Sequence, residues 1–166
     1  WRPWPPCRPS SAAPAAAQWR LALAHDSTTA SPELAAWLEA YATECQLTDQ
    51  LDEAIDARAR LGELYRAQGQ PRLEADNASR SALVLVLALR NAEADAASAR
   101  AIDMLEARQP GIELARAYRV QAQLRMLNRD CAQSTAWSRK AIALAQTHGD
   151  RELLASAYGT LGAALF

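Results

Sequence analysis

The sequence predicts an all-α fold: an antiparallel helix-hairpin solenoid with a repeat of about 40 residues. Three observations carry this. Asn91–Leu105 (NAEADAASARAIDML) returns in altered form as Cys131–Ala145 (CAQSTAWSRKAIALA), with Ala101 and Ala141, and Ile102 and Ile142, each 40 apart. A self-match at a fixed period of this size marks stacked supersecondary units. Alanine is abundant, Val and Thr are scarce, and no convincing alternating run occurs. Ala loses no side-chain entropy on ordering, so helix is favoured and strand lacks its signal. The linkers keep the same ruler, at Gly69, Gln109 and Gly149.

Trp1–Pro14 (WRPWPPCRPSSAAP) is a Pro-rich lead. Proline removes amide donors and blocks helix, so residues 1–14 are expected to be extended or disordered, and the helical-repeat domain to occupy 15–166. Ala15–Ala24 (AAAQWRLALA) reads as the second helix of an incomplete repeat, because Leu21 stands 40 before Leu61. Asp26–Ser31 is a polar linker, with Ser31 as N-cap and Pro32 at the first helical position. Three helical pairs follow: 32–47 with 51–68, 72–89 with 91–108, and 112–127 with 131–147. Thr48 and Asp49 make the first turn. Gly69-Gln70-Pro71 stops the next helix, since Gly tolerates the left-handed conformation and Pro cannot continue a helix. Asn91 and Asp130 are expected caps. Arg151–Phe166 is a fourth first helix without its partner.

Small residues recur where two helices of a hairpin come closest, at Ala42, Ala82, Ala122 and Gly162, and again at Ala54, Ala94 and Ser134. Leu64, Met104 and Leu144 lie at helical spacing from Leu61, Ala101 and Ala141 and extend a buried stripe. Trp37 and Trp137 read as packing residues, the alternative being aromatic anchors for a partner. A helix pair cannot bury its apolar face alone. Arg151–Phe166 is therefore expected to leave Leu161, Leu165 and Phe166 uncovered, at about 1.5–3 kcal/mol per large side chain. The chain reads as a piece of a longer protein, with a further helix or self-association covering its exposed repeat ends.

Composition excludes several classes. At 50% hydrophobic and 22% charged residues the chain is not disordered, and a net charge of −1 argues against a nucleic-acid-coating surface. Arg116, Arg119 and Arg125 share one helix, but no second motif supports DNA binding by this segment. The longest apolar run, Ala82–Leu89, is far short of the ~18 residues a membrane span needs, and no signal peptide is visible. Three cysteines (Cys7, Cys45 and Cys131), odd in number and without a CxxC, read as reduced thiols of a cytoplasmic protein. No GxxxxGK[ST], HExxH, GxSxG or zinc-spaced cluster occurs, so no catalytic residue, metal or cofactor is expected. His25 and His148 fall near helix C-termini, where a cation meets the dipole favourably. The acidic residues Asp52, Glu53, Asp56, Glu93 and Asp95 sit at helix starts for the same electrostatic reason.

Tyr158-Gly-Thr-Leu161-Gly162 resembles the tetratricopeptide opening W/Y-x-x-L-G, and Ala94, Ala101-Ile102 and Ala141-Ile142 echo the later part of that pattern. The third first helix keeps Tyr118 but has Gln121 and Ala122. The usual tetratricopeptide period is ~34 residues, so the helices here are longer. Leu38–Arg58, Arg90–Asp95, Ala115–Asp130 and Lys140–Leu165 resemble the helical-repeat region of large LuxR-type transcriptional regulators that carry an ATP-binding domain. This wider likeness covers roughly Ala15–Phe166. It implies a non-enzymatic interaction and regulatory segment whose partners are a protein or peptide, the flanking ATPase and DNA-binding domains of the same full-length chain among them. Nucleotide binding would then belong outside this sequence. The alternative is a stand-alone tetratricopeptide scaffold for peptides or partner helices. By register with that fold, Glu39, Thr43, Asp76, Ser79, Leu83, Arg116, Arg119 and Gln123 face the inner groove. A guanidinium offers a fork of donors, so the two arginines suit a carboxylate.

Overall fold

The computed structural model describes residues 32–166. The expectations for Trp1–Pro14, Cys7, Ala15–Ala24, His25 and the Asp26–Ser31 linker lie outside the described residues. Those residues form seven α-helices and no strand: α1 Pro32–Leu47, α2 Leu51–Ala67, α3 Pro71–Leu87, α4 Asn91–Glu106, α5 Ile112–Leu127, α6 Cys131–His148 and α7 Arg151–Leu165. The expected bounds of α1 and α5 hold.

Differences at the other ends have local causes. Pro71 belongs to α3 rather than to the linker, since the first turn has no use for its missing N–H. Asn91 is the first residue of α4, not its cap. Arg90 stands at the cap position without a side-chain cap, and its guanidinium grips Glu93 at 2.6 and 2.7 Å. Asp130 does cap α6, its Oδ1 accepting from the Gln133 amide at 3.0 Å, and Asp150 caps α7 through the Leu153 amide at 2.9 Å.

The turns follow a finer ruler than the sequence showed. Positive φ occurs at Asp49 (62°), Gly69 (64°), Leu89 (61°), Arg129 (60°) and Gly149 (68°), positions 20 or 40 apart. A left-handed residue lets the next amide reach back over the helix end. Gln50, Gln70, Arg90 and Asp130 donate in this way to Cys45, Tyr65, Leu85 and Arg125 at 2.8, 2.9, 2.8 and 2.9 Å. This is why α3 stops at Leu87 and not Leu89. The missing member of the series is Gln109. Pro110 drives the residue before it to extended backbone, so α4 ends at Glu106, short of the expected Arg108. The Arg72 guanidinium then ties the linker down by donating to the Gln109 carbonyl at 2.8 Å.

Each helix packs on the next, and α3 packs on α5 and α5 on α7, so the odd helices share one side. Ala42, Ala82, Ala122, Ala54, Ala94 and Ser134 are all fully buried. At one such crossing the Ser134 hydroxyl donates to the Ala122 carbonyl at 2.9 Å, which only a close backbone approach allows. Trp37 and Trp137 are partly buried against the core, as expected of packing residues. Gly162 is only half-buried. At the C-terminal end Leu165 (65%) and Phe166 are exposed, but Leu161 is half-buried against the cluster of Tyr118, Ile142 and Ala157 and is not left bare.

Candidate functional site

Residues 40 apart on the odd helices stand side by side. Asp76 on α3 and Arg116 on α5 demonstrate it, with Oδ1 and Nη1 at 3.4 Å. One turn on, Ser79 and Arg119 hold the next rung of the same ladder. Along this side runs a cleft of about 530 Å³. Six of the eight groove residues line it: Thr43, Asp76, Ser79, Leu83, Arg116 and Arg119. Glu39 and Gln123 do not, but each holds a residue that does. Glu39 accepts from Arg80 at 2.7 Å, and Gln123 accepts from Arg119 at 2.9 Å.

Most charges in the cleft are internally engaged. Arg58, 3% exposed, donates to Glu39 at 2.6 Å and reaches Asn77 Oδ1 at 3.4 Å. The Asn77 amide donates back to the Arg58 carbonyl at 2.8 Å. Arg80 bridges Glu39 and Asp76, with its Nε 3.1 Å from the Asp76 carboxylate. The chain of pairs thus runs Arg58–Glu39–Arg80–Asp76–Arg116 across α2, α1, α3 and α5. Arg119 stands apart. It donates to the neutral Gln123 carboxamide, it has no carboxylate partner among the described residues, and burial holds its guanidinium below the ordinary value. Beside it the Ser79 hydroxyl, 1% exposed, has no hydrogen-bond partner. The two arginines do not act as an equal pair: the structure binds Arg116 to Asp76, while Arg119 has no carboxylate partner among the described residues. Arg125, on the same helix, pairs instead with Asp95 on α4, so the three arginines do not make one basic face.

Sequence reasoning missed Arg58, Arg80, the α7 cap Asp150 and the α7 residues Glu152 and Leu153. Arg58 had a signal: it sits in the buried stripe Ala54, Ala57, Leu61, Leu64, where an arginine needs a partner. Among the described residues no group of three or more His, Cys, Asp or Glu could hold a metal, and no helix is long and apolar enough to cross a membrane. Cys45 is buried, Cys131 is exposed, and the two are not bridged.

Away from the cleft, α5 and α6 build an aromatic plug. Tyr118 and Trp137 lie 5.4 Å apart between ring centroids, and the Lys140 ammonium sits 4.2 Å from the Trp137 centroid and 5.2 Å from that of Tyr118. The Tyr118 hydroxyl donates to Glu106 at 2.7 Å. Burial first, then the Glu106 carboxylate, pushes the phenol up to about 12. The native state therefore holds the proton more tightly than the unfolded chain. The associated stability is intact below pH ~10 and is lost as the pH rises to about 12. A pH series of denaturant melts should show this loss in the wild type and a smaller one in Tyr118→Phe; parallel curves would reject the shift.

No protein-family model matches the chain, and no curated protein matches it. Among solved structures, the crystal structure of BtubC (BKLC) from P. vanneervenii superposes with a TM-score of 0.73 at 16% identity, covering 93% of this chain and 65% of that one. The chain thus spans about 65% of the length of that neighbour, which shares its helical fold.

Proposed function

We propose that the chain is a non-enzymatic interaction module, a tetratricopeptide-like helical solenoid whose odd-helix cleft takes a carboxylate-bearing protein segment. The observation that supports this is Arg119: a desolvated guanidinium with no carboxylate of its own, beside the unpartnered Ser79 hydroxyl and the apolar wall of Leu83, Val120 and Leu153. A charge in such a place lacks the compensation that an incoming carboxylate supplies. Screening an array of Asp- and Glu-containing peptides against their Asn and Gln counterparts should select the acidic set. Arg119→Glu should weaken the selected peptides by roughly ten- to a hundredfold, as expected for a hydrogen bond to a charged group. Arg116→Gln should do less, because Arg116 already serves Asp76. Equal binding of acidic and amide peptides would reject the cleft.

We propose further that this module belongs to a cytoplasmic LuxR-type regulator, on the resemblance of Leu38–Arg58, Ala115–Asp130 and Lys140–Leu165 to the repeat region of that family. ATP and DNA binding would then lie in flanking sequence. An upstream P-loop and a downstream helix-turn-helix in the reading frame support this reading. Stop codons on both sides favour the stand-alone scaffold.

A further inference from the structure

The repeat supplies its own control for a second surface. Between α2 and α4, over α3, lies a groove of about 480 Å³. Its counterpart one repeat on, between α4 and α6 over α5, contains the aromatic plug. Subtracting 40 maps Tyr118 onto Ala78, Trp137 onto Ala97 and Lys140 onto Arg100, and all three of these line the open groove. Gly62 on α2 lines it too. The backbone frame is repeated, but the two aromatic side chains that close it in one repeat are cut to alanine in the other.

What remains in the open groove suits the missing group. Arg100 is exposed and has no hydrogen-bond or ion-pair partner among the described residues, and it stands where Lys140 covers two rings. Arg66 spends both its bonds to Glu74 on Oε1, at 3.0 and 2.7 Å, which leaves Oε2 for an N–H or O–H donor. The buried Arg58, whose Nε has no partner, also borders the groove. We propose that this groove is a docking site for a partner polypeptide that inserts one tryptophan or tyrosine ring between Ala78 and Ala97, beneath the Arg100 guanidinium. The ring restores in trans the packing and cation–π contact that Tyr118, Trp137 and Lys140 make in cis. This surface involves α2 and α4, and it stands or falls independently of the odd-helix cleft.

The test is NMR on the isotope-labelled full chain, titrated with N-acetyl-tryptophanamide and, separately, N-acetyl-leucinamide. The indole probe should shift the signals of Gly62, Ala78, Ala97 and Arg100, and the leucine probe should shift them far less. Ala97→Trp should abolish the response by filling the site. Arg100→Gln, a surface change that leaves the groove walls intact, should weaken it about two- to fivefold. Equal response to both probes, or an undiminished response in either variant, would overturn the assignment. So would nuclear Overhauser contacts from the chain's own Trp1, Trp4 or Trp19 indole to the Ala97 methyl, since the occupant would then lie in the same chain.

Discussion

Replacing Glu39 with alanine is expected to cost about 3–5 kcal/mol of folding stability, the range for breaking a buried ion pair from one side, and toward its lower end because Glu39 itself is 33% exposed. The loss falls on Arg58. Its side chain is 3% exposed, its Nε already lacks an acceptor, and without Glu39 the Asn77 oxygen at 3.4 Å is the one side-chain acceptor left to it among the described residues. A guanidinium cannot escape by losing its proton under ordinary conditions, so the buried charge stays uncompensated. Arg80 loses a partner too, but it is 44% exposed and keeps Asp76.

The informative comparison is the double variant. Glu39→Ala with Arg58→Met removes both charges and the desolvation that they share, and most of the lost stability should return. Urea melts at neutral pH of the wild type, both single variants and the pair give the coupling directly. A cost below 1 kcal/mol for Glu39→Ala, or additive single effects, would mean that water reaches Arg58 and that the network does not hold α1 to α2.

The sequence made this architecture legible where residue type constrains it. Ala42, Ala82 and Ala122 announce close helix contacts because no larger side chain fits there, and they are all fully buried. Gly69 and Gly149 announce left-handed stops because glycine adopts them without strain. Asp49, Leu89 and Arg129 occupy the same conformation unannounced, since the repeated geometry imposes it on whatever residue falls there. The cleft was readable to the same degree. Register alone puts Ser79 beside Arg119, but register cannot tell that Asp76 engages Arg116 and spares Arg119. That depends on which side chain reaches which, across helices 40 residues apart. The open groove between α2 and α4 was hidden for a different reason. Its signal is the absence of bulk at Ala78 and Ala97, and it becomes visible only against a filled copy.

Leu61→Ala is expected to cost about 2–5 kcal/mol, the transfer term plus the cavity left by a fully buried leucine. Yet the next two repeats carry alanine at this position, as Ala101 and Ala141, and both are as deeply buried. The bulk has moved by one residue: Leu61-Gly62 in the first pair becomes Ala101-Ile102 in the second. A larger side chain at Gly62 has to displace Asn77, because even a Cβ there would lie 3.3 Å from the side-chain Nδ2 of Asn77. The second repeat has Ala117 in place of Asn77 and Ser98 in place of Arg58, so the space held by a polar network in one repeat is held by isoleucine in the other. Leu61→Ala with Gly62→Ile should therefore remain at least as unstable as Leu61→Ala alone. Adding Asn77→Ala and Arg58→Ser should bring the chain back to within about 1.5 kcal/mol of wild type, the usual tolerance for a volume-conserving repack. Glu39 then keeps Arg80 as its partner at 2.7 Å. Denaturant midpoints of the four proteins decide the matter. A fourfold variant no more stable than the double one would show that the two pairs are not alternative fillings of one frame.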